Sequence, residues 1–363
     1  MRPTRRRHRM LTWTAAVATM VVAGTAAPAL ACGGVFSQNG EVNLTRTTTL
    51  AAYADGVEHY VTAFEFAGAG GAFGSIVPLP GVPTSVEEGG EWTLQRLVKE
   101  VSPPPEVFAR GGVALSAAAD SAEVLLETRV GALDLTVLRG GAQAVGQWAT
   151  DNGFLLTPDA PEVLDFYARR SQIFLAARFD AAAVVDKGVN VGDGTPVHIT
   201  IPTANPWVPL RILGLGRVKG ERVDADVFLL TQLRPTLLAG RDSAGVVLDR
   251  QEPASGALLA DLRSDKGMEW LPESMWLSYL KVAAAPSELT YDLAVDASGA
   301  GQPSAVAAGL LGREAERADG GLLGPAPVDE GAHGSGRTVA LVGIGALVLL
   351  AVAGGVALGS RHR

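Results

Sequence analysis

His59 and His198 are the only imidazoles between the basic leader and the Gly/Pro-rich tract near the C-terminus. A histidine-based metal site would need both of them plus carboxylates. They lie far apart, His59 in a predicted hairpin and His198 on a predicted strand, without local ligand spacing. Each reads first as a strand residue that faces solvent or is satisfied in a core. "DKGVNVGDG" (Asp186 to Gly194) sets Asp186, Asn190 and Asp193 in a glycine-rich loop, a weak candidate for calcium. It departs from the EF-hand spacing, because Gly188 occupies the third position and no glutamate closes the loop. A solvated strand connection is the plainer reading.

Other short patterns also fall short of chemistry. "RDSAG" (Arg241 to Gly245) faintly resembles a serine-nucleophile segment, but a nucleophile elbow needs glycine where Arg241 stands. It reads as a polar turn. "GAGGAFG" (Gly68 to Gly74) and "GLGRVKG" (Gly214 to Gly220) place three residues after the second key glycine, where a dinucleotide fingerprint has two. Both read as loops or strand ends. "PWVP" (Pro206 to Pro209) sets Trp207 between prolines, as a ligand platform or, more simply, a buried aromatic latch. No catalytic residue and no cofactor emerge from these patterns.

Cys32 is the only cysteine, so no internal disulfide is expected. It follows Arg2, Arg5, Arg6, Arg7 and Arg9, an apolar run from Leu11 to Ala23, and Ala29-Leu30-Ala31. That order is the n-region, h-region and small-x-small cleavage pattern of a secretory signal. A cut after Ala31 leaves Cys32 at the new N-terminus. Lipidation of Cys32 is the sharper alternative, but the position three residues before it holds Ala29 rather than leucine. Thr4-Arg5-Arg6 also leaves twin-arginine export open beside ordinary export.

The other end reads "TVALVGIGALVLLAVAGGVAL", Thr338 to Leu358, uncharged and followed by Arg361-His362-Arg363. Some twenty residues at about 1.5 Å rise span roughly 30 Å, the thickness of a bilayer's hydrocarbon core. A buried helix of a globular domain would show a polar face, and this run has none. The basic residues beyond it predict a cytoplasmic C-terminus, with everything before it outside. The expected organisation is a signal peptide over 1–31, an extracytoplasmic domain over 32–298 and a flexible Gly/Ala/Pro-rich stalk over 299–337. A transmembrane helix over 338–358 and a short basic tail over 359–363 complete it.

The formal charge of −8 arises from 30 basic and 38 acidic residues. Setting aside the five leader arginines and two terminal ones leaves 23 basic residues against the same 38 acidic, or −15 for the exported part. Such a surface repels nucleic acid and anionic lipid, so nucleic acid drops out as a partner. The membrane, through the C-terminal helix, and an envelope protein or cell-wall component remain.

The elements alternate between periods. Thr45 to Tyr53 and Val57 to Phe66 flank Asp55-Gly56, a strong hairpin signal. Ser75 to Leu79 reads as a strand. Trp92 to Val101 has helical spacing at Trp92, Leu94, Leu97, Val98 and Val101, and Pro103 stops it. Leu133, Leu135 and Val137 alternate as a strand, and Gln143 to Asp151 follows as a helix. Asp159 to Arg170 predicts a helix that Asp159 caps and Glu162 closes as a capping box. Strands are expected at Gln172 to Phe179, Val197 to Ile201, Leu210 to Leu215 and Ala225 to Leu230. The fold class is α+β, a mostly antiparallel sheet or sheets with packed helices, plus the C-terminal transmembrane helix.

Five of these stretches, in this order, resemble a bacterial family known as domain of unknown function 2330. They are "ACGG" (Ala31 to Gly34), "FGSIVPLPGVP" (Phe73 to Pro83) and "VGALDLTVLRGGAQAVGQWATDNGFLL" (Val130 to Leu156). "TPVHITIPTANPWVPLRIL" (Thr195 to Leu213) and "WLSYLKVAAAPSELTYDL" (Trp276 to Leu293) extend the likeness. The resemblance implies an exported bacterial envelope protein, and brings neither an activity nor catalytic residues. It also implies a second cysteine soon after the first. None follows Cys32, so a terminal disulfide is not expected.

The sequence thus points to a membrane-anchored envelope protein whose outer domain binds or scaffolds another component. Two alternatives stand beside it. One is a surface hydrolase with a site assembled from dispersed Asp, Ser and His residues; the other is a calcium-stabilised structural spacer.

Overall fold

The structure is a computed structural model that describes residues 34–37, 47–63, 73–90, 92–102, 123–130, 133–179, 196–217, 220–240, 244–312 and 322–323. The chain divides into two units, Met1–Pro325 and Ala326–Arg363. Every described residue belongs to the first.

In chain order the elements begin with β1 (Gly34–Ser37), β2 (Thr47–Ala54), β3 (Val57–Ala63), β4 (Phe73–Leu79), β5 (Ser85–Glu88) and α1 (Thr93–Val101). Next come β6 (Glu123–Val130), β7 (Leu133–Arg139), α2 (Ala142–Asp151), α3 (Ala160–Ala168), β8 (Ile173–Phe179), β9 (Pro196–Pro202) and β10 (Trp207–Val208). The last are β11 (Val223–Thr231), β12 (Thr236–Leu238), β13 (Val246–Pro253), α4 (Gly256–Arg263), β14 (Trp276–Ala284) and β15 (Leu293–Asp296). Seven strands form one sheet in the order β13-β14-β11-β2-β3-β9-β5, and five form a second in the order β1-β4-β8-β7-β6. A small third sheet runs β10-β15-β12. Among the described ladders only β11·β2 is parallel. The α+β class with mostly antiparallel sheets is the observed one.

The hairpin β2–β3 shows how the local sequence sets the register. Asp55 and Gly56 both take positive φ, 52° and 81°. That is the left-handed pair a two-residue turn needs to match strand twist, and it pairs Ala54 with Val57. Strand alternation then divides β3 between two faces. Tyr60 joins Ala51, Ile199, Ile201, Val227 and Leu229 against Val77, Leu79, Leu135, Val137 and Leu175 of the five-stranded sheet. This is the layer between the sheets. Val61 points the other way, with Leu50, Phe228 and Leu230, onto Leu94 and Leu97 of α1 and Leu258, Leu259 and Leu262 of α4. Helices α2 and α3 cover the outer face of the five-stranded sheet through Val145, Trp148, Val163, Leu164 and Tyr167 against Ile76, Leu138 and Phe174. The domain is therefore layered helix, sheet, sheet, helix.

Two expectations change. Leu210 to Leu215, expected as a strand, is a 3-10 turn over Arg211–Gly214. Asp292 Oδ1 accepts the N–H groups of Leu210 and Arg211 at 2.8 and 2.9 Å, which removes them from any ladder. The capping box at α3 does not form. Asp159 itself has helical φ/ψ and accepts Gly216 N–H at 3.0 Å, while Glu162 pairs with Arg211. Residue 298, the last before the expected stalk, is followed by residues that still pack on the domain. Ala307, Ala308 and Leu310 are buried against α3, and Leu322 bridges Leu238, so packing on the domain continues past it.

No helix among the described residues is long and apolar enough to cross a membrane. The segment expected to do so, 338–358, lies outside the described residues, as do the leader and the rest of the expected stalk.

Candidate functional site

The two histidines meet. On β3 and β9 His198 stands opposite Val61 and His59 opposite Thr200, so the imidazoles are diagonal neighbours on one face. His59 Nδ1 and His198 Nε2 are 2.9 Å apart, a cross-strand hydrogen bond. The ring of His59 lies flat on Trp270, with centroids 3.5 Å apart and planes 7° from parallel. Glu87 of β5 stands opposite His198 on its other side.

Trp270 comes from the segment that follows α4, and that segment is pinned by Asp265. This buried carboxylate accepts the N–H groups of Trp92 and Thr93 and the Thr93 hydroxyl. It caps α1, whose own N-cap residue, Trp92, has no side chain able to do so. Gly90 leaves room for that carboxylate, because a Cβ there would lie 2.1 Å from it. Lys266 pairs with Glu88 at 2.7 Å. Gly267 has φ +78°, and a Cβ on it would lie 3.2 Å from His198 Nδ1. Backbone and imidazole thus approach where only glycine fits easily.

Both imidazoles are held neutral near pH 7. Burial pushes His59 down to about 4, with His198 adding to the effect. Burial also lowers His198, opposed by the negative fields of Glu87 and Glu269. Two neutral rings 2.9 Å apart share one N–H. Such a pair can pass a proton from one outer nitrogen to the other, or present unprotonated nitrogen to a ligand. Among the described residues no hydroxyl or carboxylate hydrogen-bonds either ring, and no three of His, Cys, Asp and Glu converge as a metal cluster.

In a second polar centre only the buried Arg170 Nε lacks a hydrogen-bond partner among the described residues. Asp292, fully buried, accepts Tyr167 Oη–H at 2.9 Å along with the two backbone N–H groups already described, and pairs with the buried Arg170. The Arg170 guanidinium lies 4.4, 4.9 and 4.5 Å from the ring centres of Phe166, Tyr167 and Trp207. Trp207 is therefore a buried latch, stacked on Tyr167 and joining β10 to α3.

A third group stands apart. Glu58 is fully buried in the layer between the sheets, and neither carboxyl oxygen has a hydrogen-bond partner among the described residues. Burial raises it to about 8, so it is mainly protonated at neutral pH. The Trp207 backbone N–H pulls the other way and is outweighed by burial.

Asp186, Asn190, Asp193 and Cys32 lie outside the described residues, and so do Arg241 to Ser243 of "RDSAG". Gly214 and Gly216 stand in a turn, as read. The sequence reading left His59 and His198 apart; the signal that joins them is their shared strand parity, legible only once β3 is known to pair with β9.

The profile of a family described as an uncharacterised protein conserved in bacteria, DUF2330, matches residues 26–246. The chain belongs to this family. The match spans Glu58, both histidines, Arg170 and Trp207, and stops before Trp270 and Asp292. No curated protein matches the chain. Two crystal structures of baculovirus P35 share a loose likeness. A mutated form after caspase cleavage has a TM-score of 0.33 and 8% identity, over 70% of this chain and 94% of that one. Another P35 structure has a TM-score of 0.33 and 9% identity, over 73% and 94%. At that TM-score the likeness carries nothing for function.

Proposed function

We propose that this DUF2330 protein is a single-pass envelope protein, exported by its leader and anchored by Thr338–Leu358, whose outer domain binds or scaffolds another envelope component. The observation that carries the reading is the pairing of a basic, cleavable apolar leader with an uncharged apolar run that ends in Arg361-His362-Arg363. The exported part, at −15, suits a soluble domain displayed outside a membrane.

The polar interior supports binding over catalysis in one respect. Asp292, Arg170 and Tyr167 are spent on each other and on backbone groups, and Asp265 is spent on α1. The hydrolase reading needs His59 or His198 beside an acid and a hydroxyl, whereas the two rings face each other and Trp270.

Truncation tests the anchor. A chain ending at Arg337 should leave the membrane fraction and appear outside the cell, while the full chain stays with membranes until detergent is added. A truncated chain that still sediments with membranes would contradict the assignment of the anchor.

A further inference from the structure

The His59–His198 contact is a nearly straight hydrogen bond. The nitrogens are 2.9 Å apart and the ring centroids 5.1 Å. The centroid distance exceeds the nitrogen–nitrogen distance by 5.1 − 2.9 = 2.2 Å, which the two ring radii together make up. A straight line from centre to nitrogen to nitrogen to centre would thus measure close to the observed centroid distance. The two rings point at each other head-on.

We propose that this pair is a binding site for a soft monovalent d10 cation, cuprous or silver, held linearly between His59 Nδ1 and His198 Nε2. Collinear donors suit a two-coordinate ion and suit poorly the tetrahedral or octahedral shells of zinc and magnesium. The lack of a converging third ligand among the described residues fits two-coordination. A metal–imidazole bond of about 2 Å requires the nitrogens to part to about 4 Å, an opening of roughly 1 Å.

The surroundings permit that opening. The nitrogen lone pair lies in the His59 ring plane, and that plane is 7° from the plane of Trp270. Retreat of His59 along the nitrogen–nitrogen axis is therefore a slide across the indole face, which keeps the stack in contact. His59 is half-buried and His198 is buried. Glu87 and Glu269 supply a negative field at His198.

The protons balance without release. The neutral pair holds two protons on four nitrogens, one in the bridge and one on an outer nitrogen. When the cation enters, the bridging proton moves to the outer nitrogen that lacks one. Both inner lone pairs then bind the ion, the site gains one positive charge, and no redox step occurs.

The test uses the full chain in detergent, carrying Cys32→Ser to remove the competing thiol, with 15N-labelled imidazoles and silver nitrate as probe. One equivalent of silver should shift His59 Nδ1 and His198 Nε2 together and alter Trp270 fluorescence. His198→Gln should weaken silver binding by about 10-fold or more. Silver that leaves both nitrogens unmoved in the His-containing protein overturns the proposal whether or not the variant folds. So does undiminished affinity in the variant, or zinc moving the same two nitrogens more tightly than silver.

Discussion

Glu58→Gln tests the buried carboxyl without changing its shape. In the native state burial pushes Glu58 up to about 8, against an ordinary value of 4.5, because it is fully buried without a hydrogen-bond partner among the described residues. A carboxyl raised in this way leaves stability intact below the unfolded value and removes it as pH climbs toward the folded value. Each unit is worth about 1.4 kcal/mol, so the window from 4.5 to about 8 amounts to roughly 5 kcal/mol, of which about 3 is lost by pH 7. Glutamine is neutral throughout and escapes this loss. Its amide donors add an offset that does not depend on pH. Urea unfolding of wild type and Glu58→Gln, followed by tryptophan fluorescence at half-unit steps from pH 4 to 9, should give curves that diverge. The variant should gain about 1.4 kcal/mol per unit inside the window and nothing outside it. His59 titrates on the acid side in both proteins and cancels in the difference. Parallel stability curves across the whole range would refute the assignment of a neutral, buried Glu58.

Other consequences are simpler to read. Asp292→Asn leaves Arg170 buried without its counter-charge and should destabilise the domain by about 3–5 kcal/mol, seen as a lower urea midpoint. Gly267→Ala forces a side chain into a left-handed backbone beside His198 Nδ1. It should cost about 1–3 kcal/mol and move the His198 imidazole resonances, whereas Gly256→Ala, with open space around its Cβ, should move neither. Asp265→Ala removes the cap of α1 and should cost about 1–2 kcal/mol, with faster amide exchange at Trp92 and Thr93. Addition of EDTA should leave the melting temperature unchanged; a marked drop would favour the calcium-spacer reading through Asp186, Asn190 and Asp193.

What could be read along the chain was what short-range chemistry decides. Asp55-Gly56 announced the β2–β3 hairpin because its two left-handed positions tolerate few other residues. Helices α1 and α2 and strands β7, β8, β9 and β11 lay close to where periodicity placed them. Leu210 to Leu215 misled because its apolar residues are buried by a turn, and the group holding that turn, Asp292, comes some eighty residues later. The α3 capping box failed for a similar reason, since Gly216 and Arg211 claim Asp159 and Glu162. Strands β13 and β14 passed unread. Their middle residues mix Asp249, Arg250 and Lys281 with apolar ones, so neither keeps a clean alternation. The histidine pair was invisible for want of register. Only the β3·β9 pairing places His59 and His198 on one face, and only the loop after α4 brings Trp270 over them.

Protease shaving of intact cells that express the full chain with a C-terminal epitope tag tests the anchored topology most directly. Proteinase K should digest the domain before Gly299 while a tagged fragment containing residues 338–363 survives until the membrane is opened. A domain that withstands the protease while known surface proteins are degraded, or a tag lost with it from sealed cells, would contradict the topology.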